Sequence, residues 1–512
     1  MRGEYAALSY CWGDPLELQQ NPPYRATAST LSALRAGFLI TDLPLTIRQA
    51  VYVCKVLGLR YIWVDSLCII QDSTLDWQIE AAKMGAIYSM SVVTIIAASS
   101  TSCHSGFLDQ NLSAQPLHTS TELGFRIMAR VSSKSGFHSQ LGAVPDPLDS
   151  RGWAYHEEMV SSRYLKFCKD DIQWKCGTGT ECICRARPRQ GYAKQWNDAD
   201  EESLKWAVNR VEGWPSRWDN IVDAISIRRF TYATDKLPAL ASLAERMMHQ
   251  CPPPTGSDGS QRYLAGLWRG DLLRQLCWFT EGTWCLPSSF VAPTFSWASI
   301  TLDPLCGYRR RSQRLRFTNH LSNFGCKFTP SSEVLNARTD LVFGGSEFGR
   351  VSGGLVSIRG PVLPCRLSYQ PLEEVYGSNH TFHESEECSM SGLRLETLPS
   401  IEVFQHSGDL LVYLDCPVTV FTNDQGQQFL QRSQTFGAFG FQEIDVAILV
   451  LLVSEASTVG IVLTQEGSSQ GYQRIGYSRL PWNSNARYWY SDARYGYLTE
   501  VLKPFIKTVT IY

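Results

Sequence analysis

The sequence predicts a mixed α/β chain: a parallel sheet with helical crossovers first, a helical stretch in the middle and a β-rich region last. Three observations carry this. Strand-like and helix-like periods alternate over about the first hundred residues, as in βαβ units. Helical periods then dominate the middle. Beyond Ala298, short runs rich in Val, Ile, Leu and Thr are separated by Gly, Ser and Asn, which marks a β-sheet domain. The boundaries expected are 1–190, 191–299 and 300–512.

Tyr5–Cys11 (YAALSYC) reads as the first strand, ended by the turn Trp12-Gly13-Asp14-Pro15. A polar loop reaches about Ala36. Asp42 is placed to cap a helix with Pro44 in its first turn, and Leu43, Ile47, Ala50, Val51, Cys54 and Leu57 recur along it at helical spacing. Gly58 stops that helix, and Tyr61–Val64 is the next strand. Ser73 and Asp76 form a capping pair for a helix running to about Tyr88, with Asp where Glu or Gln is usual. Val92–Ala98 (VVTIIAA) is a third, buried strand. This order gives a parallel sheet with right-handed crossovers. After a loop-rich stretch with a strand near Phe125–Val131, Asp149–Ser162 reads as a turn and short helix, and Tyr164–Cys176 as strands. Leu204–Val211, Trp218–Ile227 and Leu237–Met248 are helical. The three prolines of Gln250–Gly259 mark a flexible connection. Leu355–Arg359, Leu410–Leu414, Val418–Phe421, Ile444–Val453 and Val459–Leu463 are the strands expected in the last part.

Composition narrows the function classes. At 512 residues, 44% hydrophobic and with a net charge of −2, the chain is globular with two to four domains and lacks the basic block of a nucleic-acid-binding face. Arg309-Arg310-Arg311, with Arg314 and Arg316, reads as a solvated loop or strand edge. The start of the chain shows no signal-peptide pattern, and no apolar run approaches the roughly 20 residues needed to span a bilayer. Sixteen cysteines without a secretory signal suit a reducing compartment, so a cytoplasmic location is expected. No Walker loop, GxGxxG or GxSxG is present.

Arg60 to Glu80 (RYIWVDSLCIIQDSTLDWQIE) is the stretch richest in candidate chemistry. It places Asp65, Asp72, Asp76 and Glu80 between the carboxyl end of a strand and the first turns of a helix, the edge at which open α/β sheets bind ligands. At 100° per residue Glu80 lies about 60° from Trp77, beside the apolar direction of Met84 and Tyr88. A carboxylate there either pairs structurally or borders a cleft, where desolvation raises its pKa. Asp65 and Ser66 either satisfy backbone N–H groups of the loop or face a ligand. Asp72 and Asp76 suit capping and surface roles. Cys168, Cys176, Cys182 and Cys184 are spaced C-x7-C-x5-C-x-C, which fits none of the usual paired zinc patterns, and no metal is expected. His156, between Tyr155 and Glu157-Glu158, suits a helix-surface or hydrogen-bonding role better than that of a general base.

Three blocks resemble the heterokaryon incompatibility (HET) domain of filamentous fungi. YAALSYCWG (Tyr5–Gly13) is similar to Y-x-A-L-S-Y-x-W-G. The run from LPLTIRQAVYVC through WQIEAAKMGAIYSMSVVTIIAA resembles the family core. RGWAYHEEMVSSR (Arg151–Arg163) resembles R-G-W-x-x-Q-E-x-x-L-S-x-R. The blocks span about 1–180. The Trp218–Leu240 region, YLAGLW (Tyr263–Trp268) and APTFSWAS (Ala292–Ser299) resemble segments of longer proteins of this group. Two departures stand out: His156 takes the place of the usual Gln, and the chain starts almost at the first motif, where relatives commonly carry preceding strands.

The resemblance implies fungal non-self recognition and regulated cell death. YAALSYCWGD also resembles the opening strand of TIR domains (F-L-S-F-x-G-E-D), and W-x-x-E their S-x-W-C-x-x-E helix, which implies a TIR-like or flavodoxin-like sheet. In catalytic TIR domains that Glu supports cleavage of the nicotinamide–ribose bond of NAD. Carried over, the catalytic carboxylate is Glu80, with Ser9, Trp12, Asp65, Ser66 and Trp77 as ligand-binding residues and NAD as substrate rather than cofactor. The rival expectation is a non-catalytic death-signalling adaptor that works through self-association or an incompatibility partner protein.

Overall fold

The computed structural model describes residues 3–108, 114–120, 125–130, 146–169, 171–182, 214–250, 261–281, 284–302, 314–317, 328–342, 346–369, 393–397, 411–414, 418–422, 428–432, 443–453, 457–465, 471–481 and 502–512. The chain divides into two compact units. The first comprises Met1–Val211 with Arg228–Phe230 and Ala241–Arg246, and the second the remainder to Tyr512.

The first unit is built on β1 (Tyr5–Ser9), β2 (Tyr61–Trp63), β3 (Val93–Ile96), β4 (Tyr164–Phe167), β5 (Ile172–Cys176) and β6 (Gly179–Cys182), in the sheet order β2-β1-β3-β4-β5-β6. The first four of that row run parallel; the last two continue as antiparallel hairpins. In register, Ala7 of β1 lies between Trp63 and Thr94. β1 and β3 are buried along nearly their whole length, which is why both read as unbroken apolar runs.

The strand period of two sorts the side chains of β1. Ala6, Leu8 and Tyr10 pack with Ile47, Ala50, Val53 and Cys54 of helix α1 (Leu45–Val56). Burying Ile47 and Val53 contributes about 1.5–3 kcal/mol each. Ser9 and Cys11 face the other way, toward α2 (Thr74–Met90) and α3 (Gly152–Val160). Pro44, not Asp42, occupies the cap position of α1; Asp42 instead accepts from Leu39 N and closes a 3-10 turn. Gly58, at φ +71°, ends the helix in a conformation other residues rarely adopt. Ser73 caps α2 by accepting from Asp76 N at 3.2 Å, while the Asp76 carboxylate accepts from Ile70 N.

The middle region is helical only in part. Its described residues include the 13-residue helices Trp214–Ser226 and Pro238–Gln250, but 261–302 holds short strands and 3-10 turns. The helix expected at Leu204–Val211 lies outside the described residues. YLAGLW forms a tight hairpin whose central Ala265 and Gly266 both have positive φ, as a two-residue loop demands. Gly266 O then accepts from the indoles of both Trp218 and Trp297.

The second unit's main sheet contains β7 (Glu333–Leu341), β8 (Val351–Tyr369), β9 (Glu443–Val453), β10 (Ser457–Gln465), β11 (Tyr472–Pro481) and β12 (Ile506–Ile511). β8 is 19 residues long and changes one of its partners midway: Val356–Pro361 pair with β12 and Val362–Ser368 with β9. The path β9-β10-β11-β12-β8 therefore returns to β9. A Cβ on Gly360, beside the exchange, would lie 1.8 Å from Ser332 Oγ, so only glycine fits there.

Candidate functional site at the carboxyl edge of the parallel sheet

β1 is followed in space by β2 on one side and β3 on the other, so the chain reverses its direction of winding at β1. Such a switch point leaves a crevice at the carboxyl ends of the strands. Ser9 ends β1, Asp65 and Ser66 follow β2, and α3 supplies a third group from above that edge.

That third group is Glu157. Ser9 Oγ donates to its Oε2. The carboxyl is buried, and desolvation pushes its pKa up from 4.5 to about 7. The Ser9 hydrogen bond opposes the shift and the nearby Asp65 charge adds to it; Arg151 and Tyr88 favour the ionised form. Tyr88 Oη itself donates to Leu8 O at 2.9 Å, and Arg151 donates to Tyr10 O at 3.0 Å, which fixes both beside the end of β1.

Asp65 is the centre of a second cluster. Trp12 Nε1 donates to its Oδ2 at 2.7 Å, Ser66 N donates to its Oδ1 at 2.6 Å, and Tyr10 Oη donates to Ser66 Oγ at 3.0 Å. Desolvation is the largest influence on this carboxyl and raises its pKa, against the Trp12 bond and the Arg151 charge, although the side chain keeps some contact with solvent. The segment after β2 is a one-turn helix, Asp65–Cys68, rather than the polar turn expected from the sequence.

The structure thus brings Ser9, Trp12, Asp65 and Ser66 to one edge. Trp77 and Glu80 lie further along, on α2. Trp77 meets Trp153 of α3 edge-on at 6.2 Å, and Glu80 pairs with Lys83 at 2.8 Å. Glu80 also contributes, after Asp65, to raising the thiol pKa of Cys68, an effect led by desolvation. Asp72 holds Ala28 N, a loop-fixing role. His156 is buried against Ser242. No group of three or more potential metal ligands occurs among the described residues.

Tyr10, Arg151 and Glu157 are the site residues that sequence reasoning passed over. The signal for Glu157 was present: it is the acidic letter of the R-G-W-x-x-Q-E block. It sits in a short helix whose residues 154–157 are all buried, where a solvated carboxylate has no place.

The fold and this edge define a three-layer α/β domain with an acidic, hydroxyl-rich site at the switch point of its sheet. Residues 5–157 match the family described as Heterokaryon incompatibility protein (HET), and the amino-terminal part of this chain is a HET domain. No curated protein and no solved structure matches the chain at the significance threshold. Among the described residues no helix is long and apolar enough to cross a membrane.

Proposed function

We propose that this HET domain acts in fungal non-self recognition and regulated cell death, in the cytoplasm, by cleaving the N-glycosidic bond of NAD or a related nucleotide. One observation carries this: Glu157, a buried carboxyl with a pKa near neutrality, is held by Ser9 at the switch point, within charge range of Asp65. In this reading Glu157 takes the role that the TIR-like spacing assigns to Glu80.

The chemistry needs little more. As the C1′–N bond breaks, its electron pair goes to the pyridinium nitrogen, and nicotinamide leaves neutral, so no acid is required. The ribosyl group develops oxocarbenium character, which ionised Glu157 stabilises. Water then adds at C1′ and gives its proton to a carboxylate. Asp65 and Ser66 accept ribose hydroxyls, and Trp12 orients Asp65. Trp77 and Glu80 are proposed to border the bound nucleotide.

Nicotinamide release from NAD by the purified full chain tests the reading. Glu157→Gln is expected to lower the rate about 10²–10³-fold, the usual loss for one electrostatic group. Glu80→Ala is expected to leave most activity. No release above the Glu157→Gln level at any pH from 6 to 9 would sink the enzyme reading.

A second reading, a non-catalytic module that self-associates, is favoured by β2. It is the end strand of its sheet among the described residues, and Tyr61 on it is exposed, as are Tyr52, Val56 and Leu57. Toxicity in cells that survives Glu157→Gln but is lost in Tyr61→Lys would favour that reading.

A further inference from the structure

We propose that His156 is a positioning residue: its bond to Ser242 fixes the rotation of α3 and so aims Glu157 at Ser9. This rests on the reading of Glu157 given above. Successive residues of a helix point about 100° apart, so holding one side chain sets the direction of the next. α3 is nine residues long, so its rotation is set by the side chains that dock it.

Two later segments of the same unit grip it. Phe230 lies against Gly152, where a Cβ would come within 2.0 Å of the ring, and Gly152 N donates to Arg229 O at 2.9 Å. One turn further on, Ser242 Oγ meets His156 Nε2. Ser242 cannot drift toward α2, because it fills the space where Gly85 has no side chain: a Cβ there would lie 2.4 Å from Ser242 Cβ. Trp153, which meets Trp77, also stands edge-on to the His156 ring at 6.0 Å.

The hydrogen bonding of His156 is one-sided. Desolvation and the Arg246 charge keep the imidazole neutral, its pKa lowered to about 3. Its Nδ1 is buried without a hydrogen-bond partner. A ring placed for stability alone would be served better by an apolar side chain, since an unmet buried polar atom is destabilising. The bond to Ser242 is what the ring provides. A glutamine reaches the same hydroxyl with its amide.

The test uses the full chain. His156→Ala is expected to lower kcat for nicotinamide release about 10-fold with less change in KM, and to move the pH midpoint of the rate, because Glu157 then leaves Ser9. Ser242→Ala should reproduce both effects, and the double variant should lose no more than either alone. His156→Gln should restore the rate to within about 2-fold and return the midpoint. Additive losses, an unmoved midpoint, or a Gln variant as poor as Ala would overturn the proposal. Deuterium exchange separates it from the catalytic reading. In His156→Ala and Ser242→Ala, but not His156→Gln, amides 154–160 should exchange several-fold faster while β1 stays protected. Exchange unchanged in all three refutes the positioning role even if NAD is cleaved. Faster exchange in a chain that cleaves nothing refutes only the enzyme.

Discussion

A buried carboxylate of each unit, Asp219 in the second and Glu157 in the first, is treated in an opposite way. In the second, Asp219 is buried and held by both terminal nitrogens of Arg274, at 2.7 and 3.1 Å, while the same guanidinium serves Asp271. Arg474, fully buried, stacks 3.4 Å over the Trp278 ring and donates to the carbonyls of Leu276 and Trp278. Lys236 donates to the Ile300 carbonyl, and burial lowers its pKa to about 7. In the first unit Glu157 is met by a hydroxyl and by a cation that is hydrogen-bonded elsewhere. Charges paired within the core hold a fold together; a carboxylate left poised between its two states suits chemistry.

The largest expected effect tests the paired side. Arg274→Met strands the Asp219 carboxylate in the second unit's core, and a loss of about 3–5 kcal/mol is expected in urea unfolding. A loss below about 1 kcal/mol would mean that the pairing is ornamental there. Next comes Glu157→Gln. Because the folded pKa of Glu157 is raised, its contribution to stability is fully present below about pH 4.5 and is lost as pH rises through about 7. The Gln variant should therefore be more stable than the parent at pH 8, by on the order of 2 kcal/mol, and equal to it near pH 4. A variant that is less stable at pH 8 would place Glu157 with the structural charges of the second unit.

Smaller effects probe the cluster's edges. Trp12→Phe removes the indole donor from Asp65, so the Asp65 pKa should rise further, readable by carboxyl NMR, with roughly 1 kcal/mol lost from stability. Lys83→Ala should change stability by less than about 0.5 kcal/mol, because the Glu80–Lys83 pair lies on the helix surface. A large loss there would bring Glu80 back as a constrained, functional carboxylate.

Much of the first unit was legible in the sequence, because periodicity reports burial. VVTIIAA could only be a buried strand, and the spacing of Ile47, Ala50 and Cys54 could only be a helix face. Ser9, Trp12, Asp65 and Ser66 were readable as neighbours because each follows a parallel strand, and such ends converge. Glu157 was not. Its meeting with Ser9 spans 148 residues and depends on how α3 docks, which no local pattern encodes. The partner exchange of β8 is hidden for the same reason. The sequence offers only Leu355–Arg359 as a strand there, and only the register shows that the two halves of β8 serve different neighbours.

The grip of Phe230 and Ser242 on α3 also has a consequence in time. The chain emerges from the ribosome amino end first, at about 5–20 residues per second. Every residue of the proposed site is out by Glu157, yet the segments that seat α3, Arg228–Phe230 and Ala241–Arg246, follow much later. For roughly ten seconds at such rates, the nascent domain holds all the groups of the proposed site without the later segments that pack against α3. A chain cut short by stalled translation before Arg228 would stay in that state. The function proposed above would thereby be completed only once synthesis has passed Arg246.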